Sequence, residues 1–182
     1  GHRFDAALVG EPTNPAALDE AIKVGRRGSL SGTLTARGRQ GHAAYPELAD
    51  NPIPRLLALM GALLREHFDN GSDRFQPTHL EFTSVDVGNP AFNVIPDRAT
   101  ARFNIRFNDS WDHEHLIGRI RGVLDLATPE GADAYELAFR PFNSPAFLTE
   151  SPALIEPLAA AIEAETGRRP ALSTNGGTSD AR

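Results

Sequence analysis

Between Thr100 and Phe107 the side chains alternate without a break: Ala101, Phe103, Ile105 and Phe107 are apolar, while Thr100, Arg102, Asn104 and Arg106 are polar. Only an extended strand puts every second residue on one face, so this segment must be a strand with one dry side and one wet side. Residues 29–37 repeat the pattern, with Leu30, Gly32, Leu34 and Ala36 alternating with Ser29, Ser31, Thr33, Thr35 and Arg37. Two such strands call for an antiparallel sheet that is covered on one face only.

The elements that could cover it are also legible. After the start signal Asn51-Pro52, the residues Ile53, Leu56, Leu57, Met60, Leu63, Leu64 and Phe68 recur at three- and four-residue steps and predict an amphipathic helix over 53–68. A second helix is expected from about Trp111 to Ala127, with Asp109 or Ser110 as N-cap, Asp112 and Glu114 in its first turn, and Leu116, Ile120, Val123 and Ala127 facing inward. Asn70-Gly71 and Pro77 break the chain before a strand over 79–87, Gly88-Asn89-Pro90 turns it, and Tyr135, Leu137 and Phe139 alternate once more. The order strand, helix, strand, strand, helix, strand predicts a ferredoxin-like α+β domain over 28–142: a four-stranded antiparallel sheet with two helices on one face.

The flanks read differently. Ala6-Ala7-Leu8-Val9 is an apolar strand pattern running into Gly10-Glu11-Pro12-Thr13. Ser151-Pro152 opens a helix with Leu154, Leu158 and Ile162 on one stripe, a kink expected at Pro157 and a stop at Gly167, before a glycine-rich loop over 175–180. Residues 1–27 and 143–182 are therefore expected to be pieces of one larger domain into which the α+β module is inserted.

Composition excludes several classes of function. With no cysteine, a disulfide framework and a thiolate metal site are ruled out, so a metal would need carboxylates and imidazoles. A formal charge of −6, with only Lys23, Arg26 and Arg27 clustered, speaks against nucleic acid. No apolar run of about 18 residues and no signal-peptide pattern is present, so no membrane partner is expected and a cytoplasmic protein is compatible.

Several polar residues stand where chemistry could be done, each with an ordinary structural reading beside the functional one. Glu11 follows the apolar strand pattern and could ligate a metal or be a plain loop carboxylate. Arg26 and Arg27, between Gly25 and Gly28, could grip a carboxylate or form a solvated basic turn. His42, in Gly41-His42-Ala43-Ala44-Tyr45-Pro46, could donate to an oxyanion or carry a proton, or simply lie on the surface. Asn93 could present its amide to a ligand or form a turn. Arg106 could anchor a substrate from a rigid strand or pair within the sheet. The loop Asn175 to Asp180 could hold a carboxylate through its N–H groups and hydroxyls, but alone is a weak signal. His113 and His115, two apart on a helix, do not face the same way, and His67 and His79 lack a carboxylate at ligand spacing, so all four are read as structural or solvated.

Gly10-Glu11-Pro12-Thr13, Gly25-Arg26-Arg27-Gly28-Ser29, Gly41-His42-Ala43-Ala44-Tyr45-Pro46, Asn93-Val94-Ile95-Pro96, Phe103-Asn104-Ile105-Arg106-Phe107 and Gly176-Gly177-Thr178-Ser179-Asp180, in this order, resemble the succinyl-diaminopimelate desuccinylases of the M20 family of zinc metallohydrolases. The resemblance implies an α/β zinc-hydrolase catalytic domain around a lid domain that forms a homodimer. It implies that Glu11 ligates one ion of a two-zinc site, with cobalt a possible substitute, and that His42 crosses the dimer interface to stabilise the oxyanion in the partner's site. It further implies that Arg26, Asn93, Arg106, Gly177, Thr178 and Ser179 hold N-succinyl-diaminopimelate, a small-molecule dicarboxylate, in cytoplasmic lysine and diaminopimelate biosynthesis. The family's remaining metal ligands have no counterpart in these residues, so this polypeptide alone is expected to be inactive and to bind zinc weakly. Another M20 deacylase, such as acetylornithine deacetylase or an aminoacylase, would share the fold; a dimerisation module alone is the reading from a different class.

Overall fold

The computed structural model describes residues 5–11, 14, 16–17, 19–128, 134–141 and 143–177. In chain order the strands are β1 (Ala21–Lys23), β2 (Gly25–Arg26), β3 (Gly28–Arg37), β4 (Gly41–His42), β5 (His79–Asp86), β6 (Val94–Ile95), β7 (Arg98–Phe107), β8 (Tyr135–Phe139), β9 (Phe147–Leu148) and β10 (Ala171–Ser173). The α-helices are α1 (Pro52–Arg65), α2 (His113–Ala127) and α3 (Pro152–Thr166).

The alternating segments form the expected antiparallel sheet, in the order β5-β7-β3-β8. Strands β3 and β7 pair along their whole length, from Gly28 opposite Phe107 to Arg37 opposite Arg98. The dry face carries Leu30, Leu34, Phe103, Ile105 and Phe107, packed in one cluster with Leu56, Leu59 and Leu63 of α1 and Leu116, Ile120 and Leu124 of α2. Glycine on this face is a packing requirement. A Cβ on Gly28 would lie 2.1 Å from the Phe107 ring and one on Gly32 2.4 Å from the Phe103 ring, so each glycine makes room for the phenylalanine opposite it. The other face stays polar, with Asn104 Nδ2 donating to Ser29 Oγ and Ser31 Oγ at 3.1 and 2.9 Å.

The helices start where a side chain can cap them. Asn51 Oδ1 accepts from the Ile53 amide at 3.1 Å, with Pro52 inside the first turn. Helix α1 stops at Arg65 rather than Phe68, although Phe68 still packs against the core. The α2 cap is Asp112, which accepts from the His115 amide at 2.8 Å; neither Asp109 nor Ser110 takes that role, and Trp111 lies outside the helix. Trp111 is instead drawn to Asp69, whose Oδ2 accepts from its indole N–H at 2.8 Å. Leu124, outside the expected stripe, is the fully buried residue of the last turn, and Val123 and Ala127 are only partly covered.

One expectation for the flanks needs correction. Residues 6–9 are not a strand, because no strand among the described residues pairs with them, and Leu8 is 72% exposed. The helix α3 runs through Pro157 as one element and ends at Gly167 in the left-handed conformation, φ 76°. The flanks do meet: β1 pairs in parallel with β10, and β2 pairs antiparallel with β9. Leu154, Leu158 and Ile162 of α3 line a cleft of about 280 Å³ with Ala7, Leu8 and Val9. No helix among the described residues is long and apolar enough to cross a membrane.

Candidate active site

The expected site residues fall into clusters at opposite ends of the long strand β3. At its start, Arg26 is carried by β2, and Gly25 beside it has no room for a side chain, since a Cβ would lie 2.4 Å from the Phe147 carbonyl oxygen of β9. This close approach buries Arg26 to 3% exposure. Its Nη2 lies 3.2 Å from Glu11 Oε2, and its Nη1 donates to the carbonyls of Gly25 and Asn175 at 3.4 and 3.5 Å. Its Nε is buried with no hydrogen-bond partner among the described residues, so one donor of the fork is unused. Lys23 stands close by, donating to Ser173 Oγ at 3.2 Å, and burial followed by the Arg26 charge pulls its ammonium below the ordinary value.

The Asn175 contact brings the glycine-rich loop to Arg26. Gly177 lies in that loop with open space around it, while Thr178 and Ser179 lie outside the described residues.

Arg27 parts company with its neighbour. Its Nη1 lies 3.1 Å from His79 Nδ1, and burial followed by the charge of Arg106 lowers its pKa. Arg106 sits on β7 opposite Ser29 and His79, which puts it at the same end of the sheet as Arg26. Arg27 and Arg106 are thus close enough for their like charges to repel. The register of β3 and β5 on β7 is what places Arg106 beside the Arg26-Arg27 turn.

At the far end the chain turns back through β4, which pairs with β6 so that His42 lies opposite Val94. The Ala43 amide donates to the Asn93 carbonyl at 2.9 Å, and the Asn93 side-chain amide comes within 3.3 Å of His42 Nε2. The Ala44 amide donates to His42 Nδ1 at 3.0 Å. A neutral ring accepting at Nδ1 carries its proton on Nε2, so the Asn93 amide that satisfies this pair turns its oxygen toward the ring. His42 therefore directs its one N–H at Asn93, which holds the ring in a fixed direction and occupies that donor here.

The separation of the ends follows from strand geometry. Ten residues of β3 at about 3.3 Å each put its two ends roughly 30 Å apart, with Arg26 just before the first and His42 beyond the second. The structure brings Glu11 to Arg26, Arg27 to Arg106 and His42 to Asn93, and it does not bring the His42 pair to the arginines of the same chain.

The other described histidines have local partners. His67 Nε2 lies 3.1 Å from Asn70 Oδ1, His113 packs edge-on to Phe107 with ring centres 5.3 Å apart, and His115 Nδ1 lies 2.7 Å from Asp112 Oδ2. Among the described residues no group of three or more metal-binding side chains comes together. Glu11 is one carboxylate where a zinc site needs three or four donors, and its Oε2 already faces a guanidinium. The residues present do not by themselves fit a zinc ion.

A family model described as the peptidase dimerisation domain of M20 enzymes matches residues 24–132. The chain belongs to the M20 peptidase dimerisation family. Curated relatives named succinyl-diaminopimelate desuccinylase align with this M20 chain over its whole length. That of Methylorubrum populi is 58% identical over all 182 residues and 47% of its own length, and that of Rhodospirillum centenum is 59% identical over 46% of its length. The chain thus spans about half the length of the curated relatives it matches. Among solved structures, an M20 metallo-carboxypeptidase from Sulfolobus solfataricus superposes with a TM-score of 0.67 at 16% identity, covering 87% of this chain and 47% of that one. Aminopeptidase PepT from Bacillus cereus gives 0.66 at 17%, covering 88% and 41%. These likenesses establish a shared M20 fold.

Proposed function

We propose that this chain is the lid and substrate-gripping part of a metal-dependent amidohydrolase that cleaves the succinyl amide of N-succinyl-LL-2,6-diaminopimelate, giving succinate and LL-2,6-diaminopimelate. That reaction would place it in cytoplasmic lysine and diaminopimelate biosynthesis. The observation that carries the reading is the division of polar side chains into guanidinium groups at one end of the sheet and the His42–Asn93 pair at the other. The names borne by relatives 57–59% identical over the whole chain point to the same reaction.

Each cluster suits one task. Arg26, with its unused Nε–H, and Arg106 beside Arg27 offer planar, permanently charged forks for the carboxylates of a doubly acidic substrate. The loop Gly177-Thr178-Ser179 would hold the substrate backbone next to Arg26. His42 Nε2–H, which Asn93 orients, would exchange that acceptor for the amide oxygen as negative charge builds there, a contact that strengthens toward the transition state.

Because those groups lie at opposite ends of β3, one substrate can touch both only if His42 and Asn93 serve the site of a second copy. A homodimer formed through the lid meets that requirement. In the complete enzyme Glu11 would give one donor to a two-zinc centre. The residues described do not form such a centre by themselves.

A full-length protein carrying this chain, assayed on N-succinyl-diaminopimelate and N-acetylornithine, tests the reading. Faster cleavage of the succinyl substrate is expected, and faster cleavage of the acetyl substrate would overturn it. The 182-residue chain alone, supplied with zinc, is expected to give no turnover while still self-associating in light scattering.

A further inference from the structure

Phe92 has the most exposed large apolar side chain described, at 107% of its reference area. Single apolar residues on a surface are ordinary. Two features set this one apart. Its loop is held by its own hydrogen bonds: Asn89 Nδ2 donates to the Val94 carbonyl at 2.7 Å, the Ala91 amide donates to Asn89 Oδ1 at 3.1 Å, and Gly88 takes the left-handed turn at φ 63°. Such a loop fixes where the Phe92 side chain leaves the backbone. Phe92 is also the direct neighbour of Asn93, which touches His42, and Tyr45 is a half-exposed ring 5.9 Å from the His42 ring.

We propose that Phe92 is a positioning residue that seats the His42–Asn93 pair against a second copy of this chain, beside the cleft where that copy's Glu11 and Arg26 stand. This rests on the functional reading above, in which the pair works in another copy because Arg26 of its own chain lies beyond the other end of β3, a strand about 30 Å long. Wherever Asn93 docks, the next residue docks with it. An aromatic ring with few rotatable bonds supplies contact area at little entropic cost, the usual character of an interface anchor. Phe92 acts through His42 and touches no reacting atom.

The test uses a full-length protein carrying this chain. Phe92→Ala is expected to lower kcat roughly ten- to a hundredfold with a smaller change in KM, the size expected for a misplaced catalytic group. Sedimentation should still show a dimer, and Phe92→Leu should recover most of the rate. In a His42→Ala background the same Phe92→Ala change should cost nothing further, because the group it positions is gone. Wild-type rates for Phe92→Ala, or equal losses in both backgrounds, would overturn the proposal. Phe92→Trp reads the seat without turnover: its indole emission should shift to the blue and resist acrylamide on dimerisation, and an indole still fully quenched in the dimer overturns the proposal. A dimer with a shielded ring that leaves N-succinyl-diaminopimelate intact would overturn the functional reading and leave the seat standing.

Discussion

With Nδ1 taken by the Ala44 amide, His42 can address a ligand only through Nε2, by exchanging its Asn93 contact for the ligand. Such a donor should matter more to the transition state than to the bound substrate. His42→Ala in the full-length enzyme is expected to lower kcat by about 10²–10³ with little change in KM, as for loss of one oxyanion donor; steady-state kinetics would check it. At this scale the sequence is legible unevenly. The type of side chain is open to reading, so Arg106 on a polar strand face and His42 after a glycine could be singled out. Its partner is not, because contacts such as Arg26 with Glu11 or Arg27 with His79 depend on how distant segments pack. The orphaned Nε–H of Arg26 has no sequence signal at all, since it follows from burial under a two-residue strand pairing.

Elements show the same division between local and distant information. Strands β3 and β7 and helices α1 and α2 carry their periods in their own residues, and they fold within a few positions of where those periods predict them. The pairings of β1 with β10 and of β4 with β6 are too short to show a period, and only the finished fold brings those segments together. Ala6 to Val9 has the composition of a strand but no neighbour to pair with among the described residues. Packing in the sheet makes a direct prediction: Gly32→Ala drives a methyl into the Phe103 ring and should destabilise the fold by about 1–3 kcal/mol, read from urea unfolding. A second prediction concerns Asp69, which ties the loop after α1 to the end of β7. Its Oδ1 accepts from the buried Asn108 side chain at 2.7 Å and from the amides of Gly71 and Thr78 at 2.8 and 3.1 Å. Burial alone would raise its carboxyl, but hydrogen bonds from Thr78, Trp111 and Gly71 outweigh that and hold it below its ordinary value of 3.8. A depressed carboxylate stabilises the fold above its unfolded-state pKa and loses that contribution as the pH falls through the folded-state value. Asp69→Ala should therefore cost about 2–3 kcal/mol at neutral pH by stranding buried donors. The melting temperatures of variant and wild type should converge as the pH drops below the ordinary aspartate range.

At the scale of the whole molecule, the length of β3 turns a list of residues into a statement about assembly. If carboxylate grip and oxyanion donor stand beyond opposite ends of β3, a strand about 30 Å long, in each chain, every working site draws Glu11 and Arg26 from one copy and His42 and Asn93 from another. Two full-length variants, Glu11→Ala and His42→Ala, should then each be nearly inactive alone. Mixed and allowed to exchange subunits in equal amounts, about half of the dimers would hold one of each, and each such dimer would contain one complete site of two. Activity should recover to roughly a quarter of the wild-type rate, because half of the dimers work at half strength. If both residues served the site of their own chain, a mixed dimer would have no complete site, and mixing would restore nothing. A recovery that is lost when the exchange is run too dilute for dimers to form would tie the site to the assembly, since a mixture of independent chains has no concentration at which it should gain activity.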